Sequence, residues 1–319
     1  MPPQAGQPPR EVAQSDGQTV REMRLHPPGS PFGQVRRHPV LCTAAVALVL
    51  ALAALAVAYR HLHCRQLTDQ EFDERLQTAI RRGTAWVGNR HDAFFGEEIN
   101  VPIIHLLQQM NELHPTPQFG DMVQEVLDMP TRASFWKKLL DPSRRAWKYE
   151  ILEHWGAQRL YQRWLIYTLD PPIVDLAPSD MRGLFDAERW QKRQLTHQLM
   201  ALLILRRLYD DPRVTDHLVR RLCSRIAAES FYDPRMLDMS YQRILVLLMA
   251  DAPELVRRRW VERIIEQQCP DGGWNDCWWG LSSMVHDHDP RLSDAHATAQ
   301  ALYALYLVRY ADPVLALRQ

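Results

Sequence analysis

Residues 264–274 read Ile-Ile-Glu-Gln-Gln-Cys-Pro-Asp-Gly-Gly-Trp. The helix that leads into this stretch carries apolar residues at Val256, Trp260 and Ile264, with Val261 and Ile265 beside them. That spacing is an amphipathic helix, and Arg257, Arg258, Glu262 and Arg263 fall on its wet side. Gly272 and Gly273 permit backbone angles that other residues resist, so the chain can turn sharply at the helix end. Gln268 and Asp271 can hydrogen-bond backbone groups left over at helix termini. Trp274 has the area to pack between neighbouring helix pairs. The stretch therefore speaks of fold rather than of catalysis.

Outward from it, two helix types alternate. Phe72, Leu76, Ile80 and Val87 mark one amphipathic helix, and Val214, Leu218, Leu222 and Ile226 mark another. Between such helices lie segments apolar on nearly all sides. Thr196-His197-Gln198 opens one, Ser240-Tyr241-Gln242 a second and Thr298-Ala299-Gln300 a third. Each has Leu seven positions after its Ser or Thr (Leu203, Leu247, Leu305). Each stops at an Asp/Pro element: Asp211-Pro212, Asp251 with Pro253, and Asp312-Pro313. The starts lie 44 and 58 residues apart, the longer gap holding an insertion after Trp274. Apolar helices covered by amphipathic ones make two layers. Periodicity alone leaves an open α-solenoid and a closed toroid equally open.

Gln268-Cys269-Pro270-Asp271-Gly272-Gly273-Trp274 resembles the QW motif of the terpenoid cyclase and protein prenyltransferase superfamily. A degenerate copy spans Ala79 to Phe95, with Trp86, Asp92 and Phe94 at the corresponding places. The resemblance is good over 255–312 and weak over 67–113. It implies an all-α fold, an α/α toroid of outer amphipathic and inner apolar helices around a central cavity. In the resembling prenyltransferases zinc is held by an Asp, a nearby Cys and a His at the start of a later inner helix. Asp276, Cys277 and His296 match that order, although Asp276 and Cys277 are adjacent where the family has one residue between them.

The insertion also carries His286, Asp287, His288, Asp289 and Asp294. His286 to Asp289 reads as a solvated loop, and Asp294 as the N-cap of the last inner helix. Asp287-His288-Asp289 lacks the further Asp of a class II cyclase acid, because Pro290 follows. Cys269 and Cys277 form a disulfide if the domain sits in an oxidising compartment, which would remove the thiolate from any metal. His197 reads as a hydrogen-bonded lining or core residue. Glu97 and Glu98, after Asp92, form a carboxylate group of the kind glycosidases use, but a helix N-terminus attracts carboxylates for dipole reasons. Trp278-Trp279 suits an apolar cavity or a membrane surface.

At the other end, Val40 to Tyr59 is an uncharged run, VLCTAAVALVLALAALAVAY. Twenty residues span the roughly 30 Å hydrocarbon core. Ala56-Val57-Ala58 looks like a signal-peptidase site, but the run and the preceding region are too long for a signal peptide. Arg21, Arg24, Arg36 and Arg37 precede it and Arg60, Arg65 and Arg75 follow, a bias that puts the tail in the cytoplasm. We therefore divide the 319 residues into a disordered Pro-rich tail (1–39), a transmembrane helix (40–59), a juxtamembrane linker (60–66) and a toroid domain (67–319). Lys+Arg and Asp+Glu balance at 38 each, which argues against nucleic acid as a partner. Five Cys are too few for a disulfide scaffold. The expected function is a membrane-anchored, non-catalytic toroid that binds an apolar small molecule or a partner protein. The alternative is a zinc-dependent enzyme acting on an isoprenoid or lipid-like substrate.

Overall fold

A computed structural model describes residues 38–63, 67–95, 100–130, 134–144, 159–171, 175–188, 194–232, 238–275, 293–311 and 317. Their regular structure is all-helical, with no strand among the described residues. The chain divides into two compact units, Met1–Cys64 and Arg65–Gln319. In the first, helix α1 (His38–His63) has 26 residues and contains the whole uncharged run 40–59. The α1 side chains described are those of 43–57, and every one is exposed, Leu55 by 69%. They cover about 22 Å of helix at 1.5 Å per residue. Among the described residues no helix is long and apolar enough to cross a membrane.

The second unit follows the two-layer reading. Its helices are α2 (Asp69–Asn89), the short α3 (His91–Phe94), α4 (Val101–Leu113), α5 (Pro117–Asp128), α6 (Leu160–Leu169), α7 (Pro178–Phe185), α8 (Leu195–Tyr209), α9 (Asp216–Tyr232), α10 (Asp238–Met249), α11 (Arg258–Glu266) and α12 (Ala295–Tyr310). Thr68 starts α2 with a capping box: its hydroxyl takes the Glu71 N–H at 3.2 Å, and the Glu71 carboxylate takes the Thr68 N–H at 3.0 Å. Leu76, Ala79, Ile80, Trp86 and Val87 form its buried face. Phe119, Met122, Val123 and Val126 do the same on α5, as do Val214, Leu218, Leu222 and Ile226 on and before α9. By contrast, α12 is buried from Ala297 to Val308 and α10 from Tyr241 to Leu248. The stops after α8 and α10 rest on aspartates in the left-handed region, Asp210 at φ 46° and Asp251 at φ 54°. Asp tolerates that conformation, and a proline follows each within two residues.

Helices two apart in the order also adjoin. α8 packs against α6, α9 and α10, and α10 against α12. The 3-10 turn Ser134–Leu139 lies between α4 and α6, touching both. α12 then packs along α4 and α2, and α11 against α2. The last helices of the domain thus lie on the first.

That juxtaposition corrects one sequence expectation. Glu262 is not on a wet face; its side chain is fully buried. It accepts from Leu67 N at 3.3 Å and from Arg259 Nη1 at 3.1 Å, with Arg258 Nε 3.5 Å away. Arg258 also donates to Thr68 O at 3.1 Å, pairs with Asp69 and lies over the Phe72 ring. The reason is tertiary: the chain entering α2 covers the polar side of α11, so the carboxylate is enclosed and must be paired. Replacing Glu262 with Ala strands two arginines and is expected to lower unfolding stability by about 3 kcal/mol in denaturant titration. A loss below about 1 kcal/mol would show the side chain to be solvated.

Candidate functional site

The turn after α11 is built against α2. Gly272 sits at φ +103°, and a Cβ there would lie 2.9 Å from Arg82 O. Across from it, Gly83 of α2 leaves room for the Trp274 ring, which a Cβ would meet at 2.8 Å. Gln268 Nε2 donates to Ala79 O and to Gly272 O, both at 2.8 Å. Arg82 Nη2 donates to Cys269 O at 3.0 Å and Pro270 O at 2.9 Å. Asp271 accepts from Trp86 Nε1 at 3.0 Å and Ser293 Oγ at 2.6 Å. Burial alone would raise the Asp271 pKa, but the donors from Ser293, Trp86 and Gly273 outweigh it and hold the carboxyl below its ordinary value.

Trp274 is fully buried and donates from Nε1 to Ile264 O at 2.7 Å. Its N–H donates to Thr298 Oγ1 at 2.9 Å, tying the turn to α12. The motif therefore does more than finish its own helix, because Gln268 and Asp271 reach the middle and end of α2. Trp86, the tryptophan of the degenerate copy, supplies the indole and stacks edge-on against buried Phe94. Asp92 is exposed and pairs with Arg90.

Polar side chains with chemical potential gather where α8, α10 and α12 begin. Thr196 Oγ1 donates to Gln242 Oε1 at 2.9 Å. That bond turns the Gln242 amide nitrogen toward His197 Nε2, 3.3 Å away. His197 Nε2 is then the acceptor, and the proton sits on Nδ1. Nδ1 is enclosed and has no hydrogen-bond partner among the described residues. Tyr161 of α6 lies against the ring, with centroids 4.3 Å apart. Burial, and next the proximity of His296, push the His197 pKa down to about 4. His296 opens α12 with its Nε2 2.9 Å from Gln300 Nε2. The three glutamines of the repeat thus serve different ends, for Gln198 Nε2 instead donates to Gly183 O, Leu184 O and Asp186 O at the end of α7.

Of the proposed metal set, His296 is in this group, while Asp276 and Cys277 lie outside the described residues. So do Glu97, Glu98, Trp278, Trp279 and His286 to Asp289. Cys269 is buried in the turn, and its expected pairing with Cys277 likewise lies outside. Among the described residues no three His, Cys, Asp or Glu side chains cluster as a metal site. Asp294 caps α12 as expected, accepting from Ala297 N at 2.7 Å. Sequence reading placed His197 beside Gln198 but did not bring it to His296. Their proximity depends on α8 and α12 flanking α10, which no local pattern encodes.

No protein-family model, curated protein or solved structure matches the chain.

The His197 environment has a pH signature. Its folded pKa is below the unfolded value of about 6.5, so above that pH it leaves stability unchanged. As pH falls from there toward 4, the unfolded chain takes a proton that the folded one refuses, and stability declines. His197→Gln is expected to reduce the pH slope of unfolding stability in that window by about one proton. An unchanged slope would mean that His197 charges freely in the folded protein.

Proposed function

We propose that this chain is a single-pass membrane protein whose residues 67–319 form a closed α/α toroid that binds a partner protein without catalysis. The anchor reading is supported by the uncharged run 40–59 and by the exposed apolar side chains among the described residues 43–57. Toroid closure is supported by α12 and α11 lying on α2 and α4, and by the hydrogen bonds from residues 268–274 to α2. An open solenoid would leave the first and last pairs apart.

The observation that carries the binding reading is what the inner helices enclose. Along α10 and α12 the side chains from Tyr241 to Leu248 and from Ala297 to Val308 are buried, and a cavity between α4 and α8 is about 100 Å³. Pockets for drug-sized ligands run to about 300–1,000 Å³. A lipid-like ligand fits that cavity poorly, whereas a partner needs only the outer helices and the loops at either end. One observation favours a second reading, a zinc enzyme. His296 stands close enough to His197 to depress its pKa, and the segment with Asp276 and Cys277 runs directly into His296.

Native mass spectrometry of the full chain in nanodiscs, with and without Cys277→Ala, tests both. The binding reading expects a metal-free chain that stays with the bilayer after alkaline extraction, and loses it when residues 40–59 are deleted. Stoichiometric zinc that disappears with Cys277→Ala would replace it by the enzyme reading. Release of the intact chain by alkaline extraction would contradict the anchor.

A further inference from the structure

Away from the turn and from His197 and His296, a cavity of about 100 Å³ opens between α4, α8 and the segment after the 3-10 turn. Its walls are apolar at Leu139, Ile204 and Leu208 and polar at His105, Gln108, Glu112 and Arg207. Gln108 Nε2 donates to Leu140 O at 2.8 Å, which fixes the amide and leaves Oε1 facing His105 Nδ1 at 3.0 Å. The oxygen can only accept, so the proton of His105 is on Nδ1 and the lone pair on Nε2. Burial is the main cause that pushes the His105 pKa down to about 4, and the Arg207 guanidinium adds to it. The ring is therefore neutral and presents an acceptor.

The charged groups around it are accounted for. Glu112 Oε2 takes hydrogen bonds from Gln109 Nε2 at 3.0 Å and Arg207 Nη2 at 3.2 Å. Arg207 Nη1 donates to Gln109 Oε1. A guanidinium has five N–H groups, so Arg207 retains donors. Tyr303 of α12 feels both charges, and burial keeps its phenol protonated. A ligand here meets an imidazole lone pair, a guanidinium with spare donors, a carboxylate already occupied and apolar walls. The Glu112 and Arg207 charges offset each other, so the pocket favours neither a bare cation nor a bare anion. A bare anion would leave the lone pair without a donor. A neutral carboxyl group supplies both a donor and an acceptor. The pocket is partly open, with the Glu112 and Arg207 side chains about half exposed, and its volume of about 100 Å³ suits a ligand of acetate size.

We propose that this cavity binds a short-chain monocarboxylic acid of acetate size, its proton shared with His105 Nε2 and its second oxygen directed to Arg207. No covalent bond changes. The carboxylate and the neutral imidazole together take one proton from solvent, and the complex holds it between them. Binding therefore weakens as pH rises, by about tenfold per pH unit over the range where both free partners are deprotonated.

The test is isothermal titration of the full chain in detergent with sodium acetate, against sodium chloride and methylammonium chloride, from about pH 5.5 to pH 7.5. The expected result is one saturable acetate site that loses about tenfold in affinity per pH unit. Leu208→Phe fills the cavity and is expected to abolish binding while the unfolding curve is kept. His105→Leu removes the acceptor lone pair, so the proton-linked acetate binding is expected to be lost. Absence of saturable acetate binding at the lowest pH, persistence of binding in Leu208→Phe, pH-independent affinity in the parent chain, or preference for methylammonium would each overturn the proposal.

Discussion

The hydrogen bond from the Trp86 indole to the Asp271 carboxylate joins two residues 185 positions apart. It stands for the constraint on which the rest of the domain depends, that the first helix pair must be fastened to the last. Helices that alternate amphipathic and apolar bury their faces only against neighbours, so an unfastened end would leave apolar surface in water. Here each unit of the fastening reinforces the next. Gly272 lets the turn approach the α2 backbone, Gly83 makes room for the Trp274 ring, and Gln268 and Arg82 satisfy carbonyls on both sides. Beside it, Glu262 with Arg258 and Arg259 holds the chain entering α2, and Arg309 pairs with Asp73 at 2.7 Å. Polar groups at this junction are engaged because they are enclosed by helices from both ends of the chain.

The same enclosure shapes the histidines. His105 and His197 are both held neutral, and in each case a glutamine fixed by a further hydrogen bond sets the tautomer. Gln108 is fixed by Leu140 O and Gln242 by Thr196 Oγ1. An imidazole oriented by a second group is chemically useful, because one nitrogen is spoken for and the other is presented in a known protonation state. These two differ in what surrounds the presented atom. The Nδ1 of His197 is enclosed, whereas His105 borders a cavity.

Layering was legible in the sequence because the helical period reports which side of a helix meets other protein. The stripe Val214, Leu218, Leu222, Ile226 and the solid run of α12 are buried as their patterns imply. The motif at 268–274 was legible as a turn that matters, since two glycines followed by tryptophan after a helix have few other uses. Its partners were not. Nothing local says that Gln268 reaches Ala79, or that Asp271 takes an indole from α2. Glu262 was misplaced for the same reason: a glutamate among arginines is a wet face unless another segment covers it. His105 went unremarked as a single polar residue within Val-Pro-Ile-Ile-His-Leu-Leu, and its significance comes from Gln108, Leu140 and Arg207, two of them far along the chain.

The most direct test of the proposed closed toroid is a double-mutant cycle on Trp86→Phe and Asp271→Asn, read by chemical denaturation of the full chain in detergent. A closed domain in which the first and last helices form one cooperative unit predicts a coupling of about 1 kcal/mol or more, as for a hydrogen bond to a charged group. Additive effects, with each single change costing only what its own helix loses, would mean that the two ends do not act on each other and would contradict closure.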